Sequence, residues 1–284
     1  MKSLEEERTF DIPNSDIKEA VEGSRFDIAF LEDFGESENT HFSSVIKEVE
    51  GEDGNTYLVK IRPPLFILNG LISNMSRLFL GLKNPKVIDN KEWAKREVEH
   101  LREIYPDMDV GHTPYENAFV MEKIDGEVAC DILSSEDIEF EHKKKVITGM
   151  SEALRTLHKK DRFHGEPNTQ NCLVDEEFDI YWIDFETEYD ERLSSSEKRA
   201  RDLEQLALSV LGAFEENKET GLDDKEIVDM IFKAYGDENT ISLIKKDPSI
   251  PFVGPHRLPQ FSYSSLLRFY EAQMNVLDYL DEDE

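Results

Sequence analysis

The sequence predicts an α+β chain, with short antiparallel strands ahead of residue 122 and mainly helices after it. Three observations predict this. Alternating apolar residues over 42–49 and 57–61 flank Gly51-Glu52-Asp53-Gly54-Asn55, a turn whose Gly and Asn tolerate positive φ. Apolar residues recur at helical spacing over 91–104, 139–160 and 197–215. Between the second and third of these helices lies FHGEPNTQNCLVDEEFDIYWIDFE, residues 163–186, where two short apolar runs are split by an acidic turn.

Taken in order, residues 1–24 are polar and acidic and read as a flexible arm with one short helix near 16–21. RFDIAFLEDF, 25–34, alternates as a strand does, and a polar loop over 35–41 follows. The strands over 42–49 and 57–61 end at Pro63-Pro64, since proline removes a ladder donor. Residues 65–90 form an apolar insertion with helical spacing at Leu68, Leu71, Met75, Leu78, Phe79 and Leu82. Arg62, Arg77, Lys83 and Lys86 flank it, so 65–82 is a candidate contact with a protein or a membrane surface. The helix over 91–104 places Glu97 between Trp93 and Leu101 on its apolar stripe, and a carboxylate there requires an interior cation. Lys60 is the expected partner. AFVMEKIDG, 118–126, is a further strand running into a turn.

The helix over 139–160 carries Ile147, Met150, Leu154 and Leu157 on its core face and delivers the chain to His164, Glu166 and Asn171. The hairpin of 172–174 with 180–183 places Asn171 just before one strand and Asp184 just after the other, at one end of the ribbon. Two oxygen ligands on a stiff hairpin suit Mg²⁺, which takes few protein ligands and keeps several waters. A polar linker over 187–196 leads to the helix over 197–215, with Asp202 near its start and Leu203, Leu206, Val210, Leu211 and Phe214 buried. Helices over 225–236 and 263–280 surround a Pro-rich connection, and an acidic tail ends the chain.

Composition narrows the partners. Acidic residues number 63 against 33 basic, a net charge of -30, which opposes binding to nucleic acid and to anionic membranes. Two cysteines make no disulfide framework, residues 1–30 carry no basic-then-apolar signal, and no run of 18 apolar residues occurs. A cytoplasmic chain is the expectation.

His164-Gly165-Glu166, four residues, Asn171, a strand pair and then Asp184-Phe185-Glu186 resemble the active-site order of the protein-kinase-like superfamily. The resemblance spans roughly residues 25–235. It implies a bilobal fold, with an antiparallel-sheet N-lobe over 25–121 holding one main helix, and a mainly helical C-lobe over 122–284. It also implies ATP and Mg²⁺ as cofactors. Lys60, braced by Glu97, would hold the phosphates. The backbone at Glu122 and Ile124 would meet adenine. Gly35 would lie in the loop over the phosphates, although Glu36 and Glu38 oppose an anion there. Asn171 and Asp184 would hold the metal, Glu166 would accept or orient the proton of a hydroxyl acceptor, and Asp202 would cap or brace the loop at 164.

Two residues depart from the family pattern: Glu166 stands where the superfamily has Asp, and Glu186 where it has Gly. The short segment after Asp184 and the run Arg199-Ala200-Arg201-Asp202-Leu203 resemble the compact atypical kinases, namely the lipopolysaccharide core-sugar kinases and the small kinase of the tRNA threonylcarbamoyl complex. The long apolar insertion and the acid after Asp184-Phe185 are more similar to the sugar kinases. The implied activity is phosphoryl transfer from ATP to a protein, sugar or lipid hydroxyl. The rival expectation is a pseudokinase scaffold, which Glu166 and the degenerate glycine loop favour.

Overall fold

The computed structural model describes residues 12, 14–27, 40–41, 44–51, 53–62, 86–88, 90–185, 187–215 and 224–246. They fall into two compact units. The first takes in residues up to 62 and 88–123, the second 86–87 and everything from 124 onward.

The first unit is built on a five-stranded antiparallel sheet. Its strands are β1 (Thr40–His41), β2 (Ser44–Glu50), β3 (Thr56–Ile61), β5 (Val110–His112) and β6 (Ala118–Glu122), in the order β1-β2-β3-β6-β5. The β2–β3 turn closes as its residues dictate. Gly54 takes φ +82, Gly51 N–H donates to Asn55 O, and the Asp53 carboxylate accepts from Asn55 N–H and the Tyr57 hydroxyl. Because side chains alternate across a strand, β3 presents Tyr57, Val59 and Ile61 to one face and Lys60 to the other. The first face meets Ala118 and Val120 of β6 and, from helix α1 (Asn14–Asp27), Ile17 and Val21, together with Ile12. The other face carries Phe119, which meets Trp93 of helix α2 (Asn90–Ile104) edge-on at 5.3 Å.

The short helix expected near 16–21 runs from Asn14 to Asp27 as α1 and docks on the sheet through Ile17 and Val21. Arg25–Asp27 close that helix rather than opening a strand. Alternation over 25–34 was a period-two signal too short to outweigh the docking of Ile17 and Val21 on the sheet. Residues 28–34, Gly35, the 65–82 insertion, Glu186 and the segment beyond 246 lie outside the described residues.

The second unit is mainly helical. Its helices are α3 (Ala129–Ser134), α4 (Phe140–Lys159), α5 (Ser195–Glu215), α6 (Asp224–Tyr235) and α7 (Glu238–Lys246). They pack through Val146, Ile147, Met150 and Leu154 of α4, Leu203, Leu206, Val210 and Phe214 of α5, and Ile227, Val228 and Ile231 of α6, all buried. Gly236, at φ +63, ends α6 by donating its N–H to Phe232 O, the left-handed cap that favours glycine. Two small antiparallel sheets complete the unit. One is β7 (Glu127–Val128), β8 (Cys172–Val174) and β9 (Ile180–Trp182). The other pairs β4 (Lys86–Val87) with β10 (Thr187–Glu188). The expected linker over 187–196 therefore begins as a strand with Thr187 and Tyr189 buried. No helix among the described residues is long and apolar enough to cross a membrane.

Candidate active site

In the first unit, the α2 stripe of Trp93, Glu97 and Leu101 is fully buried. Lys60 Nζ lies 3.6 Å from Glu97 Oε1 and 5.9 Å from the centroids of both Trp93 and Phe119. Ring faces and a carboxylate thus surround the ammonium, which compensates for its removal from water. Arg62, two residues along the same strand face, is buried as well. Its guanidinium stacks 4.6 Å from the Trp93 centroid and donates to Ile88 O at 2.8 Å. Nothing in the motif pointed to Arg62. The expectation of Arg62 as a flanking cation of the 65–82 contact is corrected here, since its guanidinium is taken up inside the first unit.

At the end of β6, Glu122 N–H already donates to Asp109 O, so only its carbonyl side could serve adenine. Lys123 N–H donates to Thr56 O. Ile124 belongs to the second unit.

The second unit assembles the 164–184 stretch. The β8–β9 hairpin pairs Cys172 with Trp182 and Val174 with Ile180, and Asp175 ties its turn by accepting from Glu177 and Asp179 N–H. Ile183 N–H donates to Asn171 O, one step beyond the ladder. Asn171 and Asp184 therefore flank the same end of the ribbon. Asn168 caps the 3-10 turn of Thr169–Asn171 by accepting from Gln170 and Asn171 N–H. Asn171 Nδ2 donates to Glu166 O at 3.0 Å, which leaves Oδ1 as the acceptor of that side chain. Asp184 sits at φ +71, a left-handed conformation that non-glycine residues adopt only when their surroundings impose it.

His164 is fully buried. Its ring lies 4.6 Å from Phe185 and 5.2 Å, edge-on, from Trp182. Its Nδ1 accepts from Glu166 N–H at 3.3 Å, so the neutral ring carries its proton on Nε2. Burial drives its pKa down to about 4, against an opposing pull from Asp202 and Asp184. The ring is thus a neutral brace. Gly165, at φ +85, has no room for a Cβ, which would stand 2.3 Å from Thr187 Oγ1.

Beneath the loop lies Asp202 of α5, with no exposed surface. Its carboxylate accepts from His164 N–H at 2.9 Å, Gly165 N–H at 3.0 Å, the Tyr189 hydroxyl at 2.6 Å and His158 Nε2 at 3.0 Å. The last assignment makes Nδ1 of His158 the acceptor for the Tyr235 hydroxyl at 2.8 Å. Thr169 is tied to Ser209 of the same helix through both its N–H and its hydroxyl. Sequence reasoning found Asp202 but missed His158, Tyr189 and Tyr235. A polar His158 beside the buried Leu157 at the end of α4 was the available signal.

Among the described residues no group of three or more His, Cys, Asp or Glu could form a protein-only metal cage. One amide oxygen and one carboxylate at a hairpin end are the donor set that suits Mg²⁺, which takes one or two protein oxygens together with substrate phosphates.

The profile of the lipopolysaccharide kinase (Kdo/WaaP) family matches residues 87–235, just over half of the chain. The chain belongs to this family. Membership in the Kdo/WaaP family makes it a phosphotransferase relative with a protein-kinase-like fold, and the matched region contains Glu97, Glu166, Asn171, Asp184 and Asp202. No curated protein matches the chain in sequence. Similarity to solved structures is distant. An apo pseudokinase is 11% identical with a TM-score of 0.41, covering 88% of this chain and 95% of the other. Rv3197 from Mycobacterium tuberculosis, in complex with erythromycin, is 15% identical with a TM-score of 0.43, covering 95% and 79%. A MAP kinase from Leishmania major is 11% identical with a TM-score of 0.38, covering 92% and 84%.

Proposed function

We propose that this Kdo/WaaP-family protein transfers the γ-phosphoryl group of ATP to a hydroxyl acceptor, in a Mg²⁺-dependent reaction. The observation that carries the reading is the hairpin end, where Asn171 and Asp184 flank one end of the ribbon and the Glu166 backbone carbonyl accepts from Asn171 Nδ2. Family membership favours a sugar hydroxyl as acceptor. A lipid hydroxyl or a Ser/Thr hydroxyl is the alternative within the same chemistry.

Each residue has a defined task. Lys60, held by Glu97 and by the Trp93 and Phe119 rings, would bind phosphate oxygens as a point charge. The Glu122 carbonyl and the Ile124 backbone would orient adenine. Asn171 and Asp184 would hold Mg²⁺, which supplies charge neutralisation on the phosphates. Glu166 would accept the acceptor's hydroxyl proton as the oxygen attacks the γ-phosphorus and the bond to the β-phosphate oxygen breaks, releasing ADP. Alignment and charge compensation supply most of the rate in such transfers.

The second reading is a scaffold that binds nucleotide weakly or not at all. One observation favours it: Glu166 is almost wholly buried and is one methylene longer than the aspartate of the superfamily pattern. A displacement of about 1 Å can slow a reaction on the order of 100-fold. The test is γ-labelled ATP with Mg²⁺ and a panel of sugar, lipid and protein acceptors, with wild type beside Asp184→Ala. Label transferred by wild type and lost in the variant is expected. Equal background from both overturns the enzyme reading. Mg·ATP-dependent thermal stabilisation without turnover would establish the scaffold.

A further inference from the structure

We propose that Tyr189 is a positioning residue for Asp184, pinning the segment after it to the carboxylate that also holds the Glu166 loop. The proposal rests on the reading of Asp184 as a metal-binding residue.

Thr187 and Glu188 form β10, so their side chains point to opposite faces. Three successive alternate residues make three contacts with the 164–165 loop or its anchor. Phe185 packs on the His164 ring at 4.6 Å. Thr187 fills the space a Cβ at Gly165 would need. Tyr189 donates to Asp202 Oδ1 at 2.6 Å, the same oxygen that accepts Gly165 N–H. All three side chains are buried, whereas Asp184, out of phase with them, keeps partial exposure. The set acts as a register device. A slip of one residue at β10 would turn Glu188 to the buried face, which desolvation and the nearby Asp202 carboxylate both oppose.

Of the three contacts, only Tyr189 is a directional bond to a charge. The other two are shape. Its phenol can serve only as a donor to Asp202, and burial beside that carboxylate raises its pKa well above the usual value, so the proton stays in place. Each Asp202 oxygen takes two donors: Oδ2 accepts from His164 N–H and His158, and Oδ1 from Gly165 N–H and Tyr189. A single buried group thereby fixes two chain segments that are 20 residues apart at Gly165 and Phe185 but adjacent in space.

The test uses Tyr189→Phe, which removes one oxygen and keeps the ring. Tyr235→Phe is the control, since it removes a hydroxyl from the far side of His158 that does not touch Asp202. The first readout is amide hydrogen exchange, which needs neither metal nor nucleotide. Tyr189→Phe is expected to speed exchange over 183–189 about tenfold or more, as fits the loss of one bond to a charged group, while Tyr235→Phe leaves those amides unchanged. No change in Tyr189→Phe overturns the pin outright. The second readout is the Mg²⁺ concentration for half-maximal nucleotide stabilisation, with Asp184→Ala alongside. A severalfold rise in Tyr189→Phe, absent in Tyr235→Phe, is expected. If Asp184→Ala shifts this value and Tyr189→Phe does not, the positioning role is overturned. If Asp184→Ala shifts nothing, the metal reading has failed, and the exchange result alone decides whether Tyr189 pins the segment.

Discussion

The Lys60 ammonium and the Glu97 carboxylate stand 3.6 Å apart with almost no exposed surface on either side chain. Removing one partner of a buried pair costs roughly 3–5 kcal/mol, because the remaining charge stays in the interior. Glu97→Gln is therefore expected to lower stability by about 3 kcal/mol and phosphotransfer at least about tenfold. The double variant Lys60→Met with Glu97→Leu should recover most of the stability and none of the activity. Urea unfolding and labelled-ATP turnover on the same preparations check both halves.

Gly165 allows no other residue. Its φ of +85 is left-handed, and an added Cβ would collide with Thr187 Oγ1 and approach Thr187 O at 3.1 Å. Gly165→Ala should cost about 2 kcal/mol or more. Adding Thr187→Ala should recover only part of this, since the backbone strain remains. Thermal melting of the single and double variants gives the partition.

His164 makes stability depend on pH. Its folded-state pKa of about 4 lies below the ordinary histidine value of 6.5. The unfolded chain takes up the proton first as pH falls. Stability is thus fully present above 6.5, is lost between 6.5 and 4, and the total loss is about 3 kcal/mol for this group. His164→Phe should flatten the slope of unfolding free energy over that window by close to one proton. Urea melts at half-unit pH steps measure it.

Burial pushes the Cys172 thiol far above its usual range, while Cys130 is half-exposed. Thiolate is the reactive species. Ellman's reagent should titrate one thiol in the folded protein and the second only after denaturant is added. Two thiols reacting at comparable rates in the native state would contradict the buried β8 strand.

Much of this molecule was readable from its residues where the signal is local. The β2–β3 hairpin follows from two alternating runs and a Gly–Asn turn, and helices α2, α4 and α5 follow from apolar stripes within a residue or two of their ends. The runs 172–174 and 180–182 pair as the hairpin reading expects. Elements too short to show a period escaped: α3, the three-residue β5, the two-residue β10 and α7. So did interactions that exist only after folding. Tyr235 meets His158 across 77 residues and Asp202 meets His158 across 44, and no spacing rule links them. The extent and docking of helix α1 escape for the same reason, since Ile17 and Val21 declare a core face only once the sheet is there to receive it.

The left-handed backbone at Asp184 has an evolutionary and practical edge. Glycine would sit there at ease, and asparagine with less discomfort than most residues. A library of variants ranked by heat tolerance alone should thus be drawn to replace this aspartate, and on the proposed metal-binding role its winners should be hardy proteins that no longer transfer phosphate.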